Sequence, residues 1–372
     1  MKRSLLLAAA LTMVSGTALA QKARNTALQG ADHITTTRSI FTNPAYIMSM
    51  SDFATFEMGG TPANNSPRAE GGFTRSMGGS KLGFHLGNNS ESQVASRIQD
   101  ANADGDGLDA NEIGFLAPEN TFEITYGGGE GLKWGASFIY SSSDMKSTEQ
   151  KQSAMGVRAG AMTDMWEAYV NMGLGSKADG GTINAVYSKD NKYEGKMGMT
   201  MGAAYIMDAT RLYFKYDMDG YKIKTSAADV VDAEGSDITL GFVNSMKNEG
   251  VDFYYGAAYV MENRKEKVGD KKSATSSLPF YIGVEAEAAS WVTLRGSVSQ
   301  NVFMGSRKGN TTLVSTTDKA DTIPQNTMTT AGAGFKFGKV NVDTVMGMGT
   351  DGVLFSGADD NTFVNSSLTY WF

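Results

Sequence analysis

From residue 52 to the C-terminus the chain alternates between apolar and small or polar residues, and no other feature constrains its fold as strongly. Leu132, Trp134, Ala136, Phe138 and Tyr140 share one phase; Lys133, Gly135, Ser137, Ile139 and Ser141 share the other. Successive side chains of an extended chain point to opposite faces, so this segment is a strand with one apolar face. The period recurs at Phe122, Ile124 and Tyr126, at Met197, Met199, Met201, Ala203 and Tyr205, at Leu212, Phe214 and Tyr216, and at Val251, Phe253, Tyr255, Ala257 and Tyr259. After residue 20 no apolar run approaches the ~18 residues of a transmembrane helix.

A soluble sandwich also alternates, but three features favour a membrane barrel. Connections of two lengths take turns: Gly127 to Gly131, Met162 to Met165, Lys247 to Gly250, Glu287 to Ser290 and Gly338 to Lys339 are short, whereas Ser141 to Lys151, Glu262 to Ser277, Met304 to Asn326 and Thr350 to Asn361 are long. Short periplasmic turns and long external loops produce that pattern. Trp134, Trp166, Trp291 and Trp371 all fall beside a short turn or the C-terminus, where an interfacial girdle would place them; the first two have the outward phase, the last two the inward one. Pro44, Pro62, Pro67, Pro118 and Pro324 lie outside the expected strands, and Pro279 opens one.

The fold class is therefore all-β, a transmembrane antiparallel β-barrel. Segments begin near residues 52, 70, 80, 119, 131, 151, 165, 196, 210, 237, 251, 278, 291, 327, 339 and 362, giving about sixteen strands with Gly175 to Gly195 as an external loop, and roughly fourteen to eighteen as bounds. The upper bound takes Thr182 to Ser188 as a strand and Asp219-Gly220 as a tight turn.

The termini carry separate signals. Lys2 and Arg3, the apolar stretch Leu5 to Val14, and Ala18-Leu19-Ala20 form a signal peptide over 1–20, with cleavage expected before Gln21. Residues 21–51 then form a periplasmic or luminal segment and 52–372 the barrel. Without Lys2 and Arg3, 31 basic side chains face 40 acidic ones, a balance of −9 that disfavours nucleic acid as a partner. At the other end Val364, Leu368, Tyr370 and Phe372 share one phase, with polar Ser366 the exception. Leu368, Tyr370 and Phe372 resemble the signal by which bacterial outer-membrane proteins are recognised for insertion, which makes the barrel-assembly machinery an expected partner.

Phase also selects the side chains that would line a pore: Glu57, Glu123, Lys133, Arg158, Glu167, Arg211, Lys215, Asp217, Asp252, Glu285, Arg295 and Lys336. Unpaired charges in an apolar lumen are costly, so this set predicts a wet interior, either as a constriction that sorts ions or as paired, structural lumen charges, and its balanced signs give no ion preference. In the external connection Leu86 to Asn120, the carboxylates and amide of Asp100, Asn102, Asp104, Asp106, Asp109 and Glu112 resemble an EF-hand or thrombospondin-type calcium loop. Ca²⁺ is the one cofactor this implies. The spacing departs from that pattern, because the twelfth position counted from Asp100 is Asn111 and the glutamate follows one late, so a solvated acidic loop stands as the alternative.

Enzyme chemistry finds few residues. The chain has no cysteine, which excludes thiol catalysis and disulfides, and no GxxxxGK[ST], HExxH or GxSxG motif. A barrel hydrolase would need a histidine paired with an acid or serine at the rim, and only His33 and His85 are present. No enzymatic activity is expected.

The mature chain resembles bacterial porin-like major outer-membrane proteins, through pattern and termini more than through any motif. That resemblance implies passive diffusion of small hydrophilic solutes and ions, an integral location among outer-membrane lipid and lipopolysaccharide, and a homotrimer. Locally, Thr42-Asn43-Pro44-Ala45 resembles the Asn-Pro-Ala element in the N-terminal hatch of FadL-type transporters. This second resemblance implies uptake of hydrophobic compounds, with Asn43, Pro44 and Ala45 folded inside the barrel, whereas Asn-Pro alone is a common turn. A structural or surface-binding barrel with a closed lumen is the third expectation.

Overall fold

The computed structural model is a closed antiparallel barrel of sixteen staves. It describes residues 22–29, 31–61, 64–88, 115–116, 120–180, 191–224, 229–267, 271–302, 306–311, 314–315, 321–322, 327–348 and 362–372. In chain order the first eight staves are Phe53–Thr61, Asn64–Met77, Ser80–Leu86, Phe122–Gly128, Lys133–Met145, Gln150–Met162, Trp166–Asp179 and Gly198–Met207. The other eight are Thr210–Lys224, Asp229–Asn248, Val251–Glu266, Pro279–Ala289, Val292–Asn301, Thr327–Phe337, Val340–Met348 and Thr362–Trp371. Each pairs with the next, and the first closes on the last with Phe53 opposite Trp371 and Phe56 opposite Leu368. Closure leaves no edge whose unpaired N–H and C=O groups would face lipid.

The barrel is apolar outside and polar inside. Phe56, Met58, Phe138, Leu212, Phe214, Leu240, Phe253 and Leu368 are exposed on the outer face, while Thr125, Ser137, Arg158, Thr200, Asp343, Asn365 and Thr369 are buried within. A water-soluble chain would leave that outer belt uncovered, whereas a bilayer covers it. Both ends of the barrel chain lie at the end with the short turns, where Gly338 adopts a positive φ of 63° in a two-residue turn that favours glycine.

Several sequence expectations change at the opposite end. Ser141 to Lys151 is a hairpin whose strands run to Met145 and resume at Gln150. The seventh stave continues to Asp179 and pairs with Lys192–Gly195, so Gly175 to Gly195 is only in part a loop. Likewise Glu262 to Ser277 contains the end of one strand and the piece Lys271–Ser277. Asp219-Gly220 sits mid-strand opposite Gly235 and Glu234 rather than in a turn. Sheet pairing beyond the membrane overrides the local turn preference at these places, because each added residue pair extends a ladder already in register. Thr182 to Ser188 lies outside the described residues.

Two side-chain placements also change. Pro67 is inside the second stave, in the stretch between Asn64 and Arg68 where the register shifts and a missing N–H interrupts no ladder bond. Trp291 stacks on outward Phe335 and Phe337, since the irregular turn before it resets the phase, and it is 52 % exposed. Trp371 does face inward, against Phe53.

Candidate functional site

Residues 22–29 and 31–50 lie inside the ring and touch the wall around it. A chain threaded there has no strand edge to join, so it must satisfy its own backbone, and it does so in short helices at Lys22–Ala27, Thr37–Phe41 and Pro44–Ser49. Thr36 and Ser39 form a reciprocal capping box on the second. Asn43 caps the third by accepting from the Ala45 N–H at 3.1 Å, with Pro44 at its first position, where no N–H is required.

The Asn43–Ile47 stretch rests on a row of glycines. Gly127, Gly135 and Gly160 stand directly opposite one another on the fourth, fifth and sixth staves. A Cβ on Gly135 would come within 2.3 Å of the Pro44 carbonyl oxygen, one on Gly160 within 2.0 Å of Asn43 Oδ1, and one on Gly127 within 2.5 Å of Ile47. The helix therefore approaches bare backbone, a distance only glycine permits. Asn171 on the next stave donates to the Thr42 carbonyl at 3.1 Å.

The rest of the wall grips the segment with long side chains. Glu57 and Glu70 face each other across the first two staves, and Arg38 Nη1 bridges them at 2.7 and 2.8 Å while Lys22 reaches Glu70 at 2.9 Å. Asp32 meets Arg211 at 2.5 Å, and Arg211 also pairs with Glu167. Arg24 meets Glu285 at 2.8 Å, and Arg295 links Glu285 to Asp343. Hydroxyl groups complete the circle: Tyr254 donates to the Leu28 carbonyl at 2.7 Å, and Ser297 and Thr330 donate to the Ala27 carbonyl at 2.8 and 2.7 Å.

Both histidines lie at this boundary. His85 packs against Phe41 and Phe53, and His33 against Tyr254 with ring centroids 4.7 Å apart. Neither His33 nitrogen has a hydrogen-bond partner among the described residues. Burial pushes His33 down to about 4, with Asp252 and Asp32 opposing that fall and Arg24 and Lys247 adding to it.

The structure sorts the twelve expected pore residues by task. Glu57, Arg211 and Glu285 bind the segment directly, and Glu167 and Arg295 support those contacts. Glu123 and Arg158 face each other at 3.3 Å, both fully buried; Asp217 accepts from Thr200, and Asp252 from Ser245 at 2.6 Å. Lys133, Lys215 and Lys336 are half-buried on the inner face. Five of these charges therefore hold or support the segment as paired lumen charges, because cations and an acid of residues 22–38 complete their pairs.

Glu70 and Asp343 were not among the expected residues. Glu70 lies within a stave that begins earlier than its alternation, and Asp343 sits between outward Val342 and Thr344, a phase that marks it as inward. Leu368, Tyr370 and Phe372 are exposed on the outer face of the closing stave, where Arg75 covers the Phe372 ring at 5.1 Å. The residues Asp100 to Glu112 lie outside the described residues, and among those described no cluster of metal-binding side chains occurs.

No family model and no curated protein matches the chain. Among solved structures, a porin refined at 1.8 Å shares 12 % identity with a TM-score of 0.40, covering 87 % of this chain and 100 % of the porin. The toluene transporter TbuX of Ralstonia pickettii shares 12 % with a TM-score of 0.39, covering 95 % and 98 %. A Pseudomonas aeruginosa FadL homologue shares 11 % with a TM-score of 0.40, covering 90 % and 94 %.

Proposed function

We propose that this protein is a gated outer-membrane channel in which residues 22–50 close the lumen and solutes pass when they are displaced. The observation that supports this reading is the continuity of contact around the ring, from Arg38 at the first two staves through the glycine row to Arg211, Tyr254, Glu285 and Thr330. The solutes are small and hydrophilic, because the wall behind the segment carries Glu57, Glu70, Glu123, Arg158 and Asp343. Planar-bilayer conductance tests it: the intact protein should conduct poorly, and deletion of residues 22–50 should open large, steady channels. Large conductance from the intact barrel would instead support passive diffusion past the segment.

A second reading, uptake of hydrophobic compounds, draws on one further observation. Near the long-loop end, Phe115 packs with Tyr193, Tyr221 and Ile223 in an apolar cluster on the inner wall. Uptake assays on cells carrying the deletion separate the two, since loss of hydrophobic uptake together with gained conductance favours the second.

A further inference from the structure

The attachments of the luminal segment differ in what they leave behind on the wall. Arg24 forks onto Glu285 through Nε at 2.8 Å and Nη2 at 3.0 Å, but Glu285 also has Arg295 of the wall. Asp32 meets Arg211, which keeps Glu167. Glu57 and Glu70 are held differently. Their Oε2 atoms converge on Arg38 Nη1 at 2.7 and 2.8 Å, and their Oε1 atoms accept from Lys22, one from its backbone N–H at 3.3 Å and the other from Nζ at 2.9 Å. Among the described side chains, both cations paired with these two carboxylates belong to the segment.

The acceptors here suit a planar cation. Glu57 and Glu70 stand directly opposite each other on the first two staves, where like charges repel and a cation between them removes the repulsion. Asn88, two residues beyond the third stave, accepts from Arg38 Nη2 at 3.1 Å, so two nitrogens of one guanidinium reach two carboxylates and an amide oxygen. His85 lines a cavity beside Arg38 together with Glu57, Glu70 and Asn88. Its Nδ1 is buried and has no hydrogen-bond partner among the described residues. A neutral imidazole nitrogen left over at this place accepts from an N–H that the tethered Arg38 does not supply.

We propose that Glu57, Glu70, Asn88 and His85 form a guanidinium site of the barrel wall, filled by Arg38 while the lumen is closed and by a small guanidinium-bearing solute when the segment is displaced. This rests on the gated reading above and narrows its solutes to organic cations. Solute and Arg38 compete for the same oxygens, so the solute itself shifts the segment toward its displaced state. Once the segment has left, the two carboxylates favour cations over anions in the open lumen.

The test uses full-length folded barrels, with protease access to residues 22–50 as the readout and the chlorides of methylguanidinium and tetramethylammonium as probes. Both ions carry one positive charge, but only the first donates hydrogen bonds. In the wild type about 10 mM methylguanidinium should raise the cleavage rate about fivefold, and tetramethylammonium should not. In Arg38→Ala, whose segment is already loose, the same methylguanidinium should restore most of the protection, because the ion occupies the place of the missing side chain. General destabilisation cannot act with opposite signs in the two barrels. Loosening of both, no rescue of Arg38→Ala, no effect on the wild type, or an equal response to tetramethylammonium would overturn the proposal. Should Arg38→Ala lose heat-modifiable migration, Arg38→Lys decides: its single ammonium should be displaced at about tenfold lower methylguanidinium than the wild-type guanidinium, and equal midpoints reject the idea. Large conductance through wild-type barrels whose segment stays protected would count against the gated reading alone, and the rescue of Arg38→Ala would still decide the site.

Discussion

The luminal segment meets two kinds of wall. On the fourth to sixth staves it rests on Gly127, Gly135 and Gly160, where contact is possible because side chains are missing. Around the rest of the ring it is held by Arg38 on Glu57 and Glu70, Asp32 on Arg211 and Arg24 on Glu285. The first wall fixes position through shape and responds to neither salt nor pH. The second supplies attachment through buried charges, whose strength depends on every partner being present. Under the proposed gating, such a segment would be released at its charged fastenings and return to the seat that shape defines.

The largest break in this comparison comes from the charged wall. Arg38→Met leaves the facing Glu57 and Glu70 with Lys22 alone, and removing one partner of such a buried set costs about 3–5 kcal/mol. The segment should then become cleavable by added protease in folded barrels, with conductance rising toward that of the deletion. Protection equal to wild type would mean that charge is not the fastening.

The glycine wall gives the next effect. Gly135→Val places carbon against the Pro44 carbonyl and the Ala45 nitrogen, backbone atoms that cannot swing aside, and overpacking of this kind costs about 1–3 kcal/mol. Protease access should rise less than for Arg38→Met and should not vary with salt. A salt-dependent response would show that the seat and the fastening are not separate.

Acid should loosen the segment through His33. Its folded pKa, about 4, lies below the usual value of 6.5, so the undocked state binds the proton more tightly; docking is at full strength above pH 6.5 and is lost progressively as pH falls toward 4. At pH 5.5 the docked-to-undocked ratio should fall roughly tenfold, and His33→Gln should flatten that dependence. Protease access that is identical at pH 7.5 and 5.5 in wild-type barrels contradicts this assignment.

The smallest change tests a single hydroxyl. Tyr254→Phe removes the bond to the Leu28 carbonyl and should weaken docking by about 1 kcal/mol, leaving the barrel's heat-modifiable migration unchanged. No change in protease access would place the contribution of this wall in its ion pairs alone.

Alternation is local, and what it encodes was legible without a structure. Two residues suffice to assign a face, so Leu212, Phe214 and Tyr216 are outward in the sequence as they are in the barrel, and counting such segments yields the sixteen staves. Register and partnership are not local. Gly127, Gly135 and Gly160 become a seat only when three strands align, and each by itself reads as an ordinary small residue in a polar phase. Arg24 and Glu285 are separated by most of the chain, so nothing in either neighbourhood shows that they meet. The sequence determined that a barrel forms and which charges face inward, because period-two patterning acts within a strand. Only the tertiary structure decided that those charges hold an internal segment, because closing the ring is what brings distant residues within the few ångströms over which ion pairs and steric contact act.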